Sequence, residues 1–384
     1  MSLRQHRATA GWTGWLNGFI LCCSILLSSL SLRAQDPSNS PAWKHAEHLR
    51  HGINASEWFA QSRDYSVQRL STYTTLDDIA LMHSLGFDHM RLSIDPAIFD
   101  CRGPWQDCDR VKMLDQVVAK ALAEQLAVII DIHPNDQFKH ELSSDSNAVE
   151  KFRLLWGRLA AHFAGSNPEM VFFEVLNEPE ERDPYRWAGV EQRLLEEIRH
   201  QAPKHTIIVA GGRYSDIGDM VMLPQFNDGN VIVNFHYYEP HLFTHQGASW
   251  GVPFWIDVKD VPYPLTPDSA QKPVSQQSDW TAKWQLTEAG LEHWDVARIN
   301  EEMRFAADWA KAHNVPLTCN EFGVYRNFSD PAARARWITD VRTALEQNHI
   351  GWTMWDYRGG FAVVNKQDGT TKPDDQVLHA LGLK

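Results

Sequence analysis

The chain has 384 residues, 43% of them hydrophobic, and a formal net charge of −13. That charge argues against nucleic acid as a partner, because a polyanion needs a basic surface. An acidic protein can still act on a neutral polymer without electrostatic help.

The first stretch reads as a leader to be removed. Arg4 and Arg7 precede an apolar segment from Trp15 to Leu30, which ends in Leu32-Arg33-Ala34. Basic, apolar and small residues in that order make a secretory signal peptide over 1–34. Asn17 and Gly18 break the apolar run, which favours cleavage and export over a retained anchor. Leu21 is too bulky for the position before Cys22 or Cys23 in a lipoprotein signal. No later segment is apolar enough to span a bilayer, so no membrane contact is expected after cleavage. Residues 35–384 are too many for a simple sandwich and suit one barrel-sized α/β domain.

Within that domain, 36–46 reads as a lead-in. Short apolar runs then alternate with longer stretches of helical period. The runs are 48–54, 89–94, 127–133, 171–176, 206–210, 231–236, 316–321 and 351–355; amphipathic stretches cover 111–125, 149–163, 185–200, 296–313 and 331–348. The last begins at Asp330-Pro331, a cap followed by proline. Strands separated by helices imply parallel pairing through right-handed crossovers, hence a single-domain (β/α)8 TIM barrel. A doubly wound open sheet is the alternative, but no glycine-rich phosphate loop follows the first strand. The alternation fails between Tyr238 and Trp294, which reads as a long functional loop after strand six.

Cys101 and Cys108 flank a short loop and are read as a local disulfide in an oxidising compartment, while Cys319 lies in an apolar run as a buried thiol. Sixteen tryptophans are many for this length. Trp58, Trp105, Trp250, Trp255, Trp280, Trp284 and Trp355 fall mostly in loops or at strand ends, where an aromatic face can receive the apolar face of a sugar ring. Ordinary packing accounts for any one of them equally well.

A barrel of this type builds its site at the C-terminal ends of its strands. Polar residues that a core would not tolerate recur there: Arg91, His133, Asn177-Glu178, His236 and Tyr238, Glu321, and Trp355 closing the eighth strand. Glu178 and Glu321, on strands four and seven, would face each other across the mouth. A glycosidase needs such a pair, one carboxyl protonated and one ionised. Arg91 would keep Glu321 ionised, and a low-polarity setting would keep Glu178 protonated. Two other classes stay open. One is a metal-dependent hydrolase using Asp131, His133, Asp136 and His236; the other is a carbohydrate-binding barrel without catalysis.

The run Phe172-Phe173-Glu174-Val175-Leu176-Asn177-Glu178-Pro179, with His236-Tyr237-Tyr238, Glu321-Phe322-Gly323, Gly52-Ile53-Asn54 and Trp355, resembles glycoside hydrolase family 5, the cellulase and mannanase family. The resemblance implies a retaining double displacement with Glu178 as acid/base and Glu321 as nucleophile. It also implies that Asn177 holds the sugar 2-hydroxyl and that Arg91 and Tyr238 orient the nucleophile. His133, His236 and Trp355 would line the same subsite. Where many relatives carry a second histidine, His133 is followed by Pro134-Asn135-Asp136. The segment from Tyr238 to Gly247 resembles endoglucanase members and points to β-1,4-glucan, with mannan, xyloglucan or a glucosylated lipid as the alternatives. The expected partner is a polysaccharide or oligosaccharide, the expected state a monomer, and no cofactor or metal is called for.

Overall fold

The computed structural model describes residues 40–367 and 369–383. The leader expected over 1–34 lies outside the described residues. Eight strands, β1 (His51–Asn54), β2 (His89–Ile94), β3 (Ala127–Ile132), β4 (Val171–Glu174), β5 (Thr206–Ala210), β6 (Val231–Tyr237), β7 (Leu317–Phe322) and β8 (Gly351–Met354), close into a parallel barrel in sequence order. Each of the eight expected runs overlaps one of them, with β6 and β7 running one residue further than expected. The five amphipathic stretches are helices at 109–123, 146–163, 184–201, 296–313 and 331–347, packed outside.

Both faces of every strand are buried, which is why the strands read as continuous apolar runs rather than alternating ones. The large core lies between barrel and helices, where Trp156, Trp337 and Trp352 are fully buried. A separate apolar plug fills the lower barrel: Ala127, Ile129, Phe172, Ile208 and Ile232, closed from below by Ala42 and Leu49. Ala42 belongs to a short helix, Pro41–Ala46, so this part of the expected lead-in is the barrel's floor. Gly52 is required where it stands, because a Cβ there would lie 2.0 Å from the His89 ring, whose Nε2 pairs with Thr353 Oγ1 at 2.8 Å.

The segment between Tyr238 and Trp294 departs from expectation. It is ordered, with helices at Pro267–Gln276 and Trp280–Leu291 packed on each other, and the bridge Leu265↔Trp294 ties its base. Pro267 opens the first helix and Pro273 lies inside it, which hides the helical period. Trp58 and Trp105 also differ: both are buried, and Trp58 Nε1 donates to Leu70 O at 2.7 Å. Cys101 and Cys108 are bonded, and Cys319 is a buried free thiol. Among the described residues no helix is long and apolar enough to cross a membrane.

Candidate active site

Above the apolar plug the barrel interior turns polar, and Arg91 occupies its centre. The side chain is fully buried. Its Nε and Nη2 donate to both oxygens of Glu174, each at 2.8 Å. Nη1 donates to Asn54 Oδ1 at 2.9 Å and to Glu321 Oε1 at 2.8 Å; Nη2 also donates to Asn177 Oδ1 at 2.8 Å and lies 3.1 Å from Asp131. Every N–H of the guanidinium is used. Burial by itself would lower the Arg91 pKa, but Asp131, Glu174 and Glu321 hold it well above its ordinary value.

Glu321 accepts from Arg91 on one oxygen and from the Tyr238 hydroxyl on the other, at 2.9 Å. A β-bulge brings it there. The β6–β7 register runs Phe235↔Cys319 and then His236↔Glu321, so Asn320 is the extra residue. Asn320 already faces inward, where its Nδ2 donates to Glu174 at 2.6 Å. Strict alternation would send Glu321 outward; the bulge returns it to the interior.

Glu178 sits just past β4 with φ +45°, a left-handed conformation that costs a non-glycine residue about 1–3 kcal/mol. Neighbouring backbone holds it. Asn177 N donates to Ile132 O at 2.9 Å, and Tyr214 N to Pro179 O at 2.9 Å. His236 Nδ1 lies 3.0 Å from Glu178 Oε1 and 3.6 Å from Glu321 Oε2, so one imidazole stands between the two carboxyls. Burial pushes the Glu178 carboxyl up, but the hydrogen bond and charge of His236, helped by Lys139 and His133, pull it below the usual carboxylate range. In turn, burial would lower the His236 pKa, and the two glutamates raise it. The low-polarity setting expected to keep Glu178 protonated is therefore opposed by His236, which favours the ionised carboxylate.

His133 Nδ1 lies 3.0 Å from Asp131 Oδ2, and Asn177 Nδ2 donates to His133 Nε2 at 3.2 Å. Those bonds set the tautomer with hydrogen on Nδ1 and leave the second Asn177 amide hydrogen free for a ligand. Trp355 stacks on His133 with centroids 5.8 Å apart. All eight polar or aromatic residues picked from the strand ends thus meet in one place. Most line a cleft of about 400 Å³, together with Glu57, Lys139, Trp250 and Asp356.

Sequence reading missed several residues. Glu174 carried a signal, since a carboxylate on the inward parity of an apolar strand demands a buried partner. Lys139, nearly buried on the helix after β3, carried none. Tyr214 is half-exposed next to the Glu178 loop and has φ +51°. Asp356 is buried against Ser56 Oγ at 2.5 Å, and burial pushes its pKa up to about 7. As for metals, Glu178, His236 and Glu321 each offer an atom within 4.8 Å of the others. Three of the four carboxylate oxygens already face His236, Arg91 and Tyr238. Both ring nitrogens of His133 are committed as well, so in the set Asp131, His133, Asp136 and His236 the free imidazole nitrogen is His236 Nε2, buried and without a hydrogen-bond partner.

A parallel barrel with two facing carboxyls at the C-terminal rim is the framework of a glycoside hydrolase. The sequence model of the cellulase family, glycosyl hydrolase family 5, matches residues 52–360, and the chain belongs to that family. It is 28% identical to Endoglucanase 3 of Fibrobacter succinogenes over 84% of this chain, spanning about half (51%) of that protein. It is 26% identical to Endoglucanase C of Acetivibrio thermocellus, covering 85% of this chain and 96% of the relative. The structure of Thermotoga maritima Cel5A in complex with cellobiose superposes with a TM-score of 0.71 at 26% identity, over 88% of this chain and 99% of that one. The same protein in complex with mannotriose superposes at 0.70 and 25% identity, over the same 88% and 99%.

Proposed function

We propose that this glycoside hydrolase is an exported, monomeric endo-β-1,4-glucanase that retains anomeric configuration, with Glu178 as acid/base and Glu321 as nucleophile. The observation that carries the reading is the spacing of the two carboxyls. One oxygen of each lies within 4.8 Å of the other. Retention requires the groups about 5–5.5 Å apart, whereas inversion needs about 6.5–9.5 Å to admit a water. The glucan preference is supported by the endoglucanase relatives and export by the pattern over 1–34.

In the first step a Glu321 oxygen bonds to the anomeric carbon as the C1–O bond to the leaving sugar breaks. Arg91 and Tyr238 hold and aim that carboxylate, and the free Asn177 hydrogen meets the 2-hydroxyl. The leaving oxygen takes a proton from Glu178. Substrate entry displaces water, which penalises the buried Glu178 carboxylate and favours its protonated form. In the second step Glu178 takes a proton from water, the hydroxyl adds to C1 and Glu321 departs as a carboxylate.

A fluorosugar inactivator followed by peptide mass spectrometry should label Glu321, and Glu178→Gln should lose most turnover of an aryl cellobioside. Label on any other residue, or equal chromophore release by wild type and variant, would overturn the assignment. The Cel5A complexes with cellobiose and mannotriose motivate a second reading, a mannan substrate. Parallel assays on carboxymethylcellulose, barley β-glucan, glucomannan and galactomannan decide between the two; preference for galactomannan would displace the glucanase reading.

A further inference from the structure

Helix Trp280–Leu291 buries one face, Ala282, Leu286, Ala289 and Gly290, against its neighbours. Its other face carries Trp280 and Trp284, one turn apart at ~6 Å and left 74% and 51% exposed. The helix does not need these indoles for packing. Aromatic surface left in water at adjacent turns marks a binding face.

What the face binds follows from what surrounds it. Trp284 lines a groove of about 420 Å³ whose other walls include His241, Trp255, Gln285, Glu288 and Glu292. Among the described residues the side chains of Gln285 and Glu288 make no hydrogen bond or ion pair, so their oxygens are free to accept. Apolar ring faces beside unoccupied acceptors suit a polyhydroxylated chain: its C–H faces stack on indole and its hydroxyls donate to carboxylate and amide.

The groove also adjoins the catalytic cleft across packed aromatic rings. Tyr238, which touches Glu321, packs on His245 with centroids 4.9 Å apart; His245 lies 5.0 Å from Trp255, and Trp255 stacks on His241 at 5.6 Å. His245 lines the cleft, His241 and Trp255 line the groove, and these rings pack on one another, so the two lie side by side. We infer that the groove and the Trp280–Trp284 face form an extended binding surface for a long β-1,4-glucan. The inference rests on the glucanase reading and deepens it: it assigns this chain a grip on polymer beyond the sugars at the catalytic pair.

The test is native affinity electrophoresis of the mature protein in gels containing barley β-glucan. It uses the Glu178→Gln background so that polymer is not consumed. Adding Trp280→Ala and Trp284→Ala should weaken retardation by about tenfold, the loss expected from two ring contacts. With Glu178 intact, the double variant should raise KM on β-glucan while aryl cellobioside turnover stays within about twofold, since that substrate is too short to reach the helix. Equal retardation with and without the tryptophans would overturn the inference. So would a changed gel-filtration volume in the double variant without polymer, which would make the face a self-association surface. Failure of the glucanase reading shows separately, as absence of β-glucan hydrolysis by the wild type.

Discussion

At the scale of single residues, the site is organised around a cation more than around its two glutamates. Arg91 reaches Glu321 and Asn177 from a position set by its two bonds to Glu174. Glu174 is thus a positioning residue. Glu174→Ala should cost about 3–5 kcal/mol of stability by leaving two buried guanidinium N–H groups of Arg91 without acceptors, read as a lowered denaturation midpoint. Glu174→Gln keeps one acceptor and should fold, with kcat down at least about tenfold and KM little changed. An unchanged kcat would remove the positioning role. His236 gives a second case. In His236→Asn the cation that holds Glu178 ionised is gone, burial dominates, and the Glu178 carboxyl should titrate higher than in the wild type. Carbon-13 NMR of labelled glutamate reads this directly, and a downward shift would contradict the account.

At the scale of elements, helices outside the barrel do more than cover it. Helix Pro184–Gln201 sends Glu191 to the end of β5, where one oxygen accepts Ala210 N at 2.9 Å and the other has no partner. Burial pushes its pKa up to about 8. The sign follows from linkage: between the ordinary glutamate pKa of about 4.3 and the folded value, the folded state binds more protons, so stability falls as pH rises. The protein should therefore unfold at lower temperature at pH 8 than at pH 5.5. Glu191→Gln should flatten that dependence, as calorimetry at the two pH values would show. Wild type and variant with the same slope would assign the effect elsewhere. Elements also explain which motifs were legible. Asn234 and His236 on β6, and Tyr238 just past its end, alternate and point together with no extra residue between them. Glu321 reaches the same place only through the bulge at Asn320.

At the scale of the whole molecule, one closed barrel carries the chemistry, and its additions sit at the rim and the floor. The Cys101–Cys108 bond closes a short loop before the helix at 109–123. A loop that short restrains the unfolded chain by only about 2–3 kcal/mol, so reduction should lower the midpoint by a few degrees without abolishing the fold. Differential scanning fluorimetry with and without reductant checks this; collapse of the fold on reduction would mean the bond does more than restrain a loop. The helical pair at 267–291 is the largest addition at the rim. It places exposed tryptophans beside a cleft whose own aromatic residues are mostly buried.

By itself the sequence determined the (β/α)8 fold and its strand order, because burial on both faces makes each strand a continuous apolar run between amphipathic helices. It also determined which strand ends carry costly polar groups, and through their order the family. Only the tertiary structure decided how those groups are connected. Hydrogen bonds between Arg91, Glu174, Asn177 and Glu321 join residues far apart in the chain, and no local period encodes them. The opposed pulls of burial and His236 on Glu178 were decided there too, since they depend on an imidazole lying between two carboxyls. So was the order of the segment from Tyr238 to Trp294, whose prolines and outward tryptophans mask two helices that exist because they pack on each other.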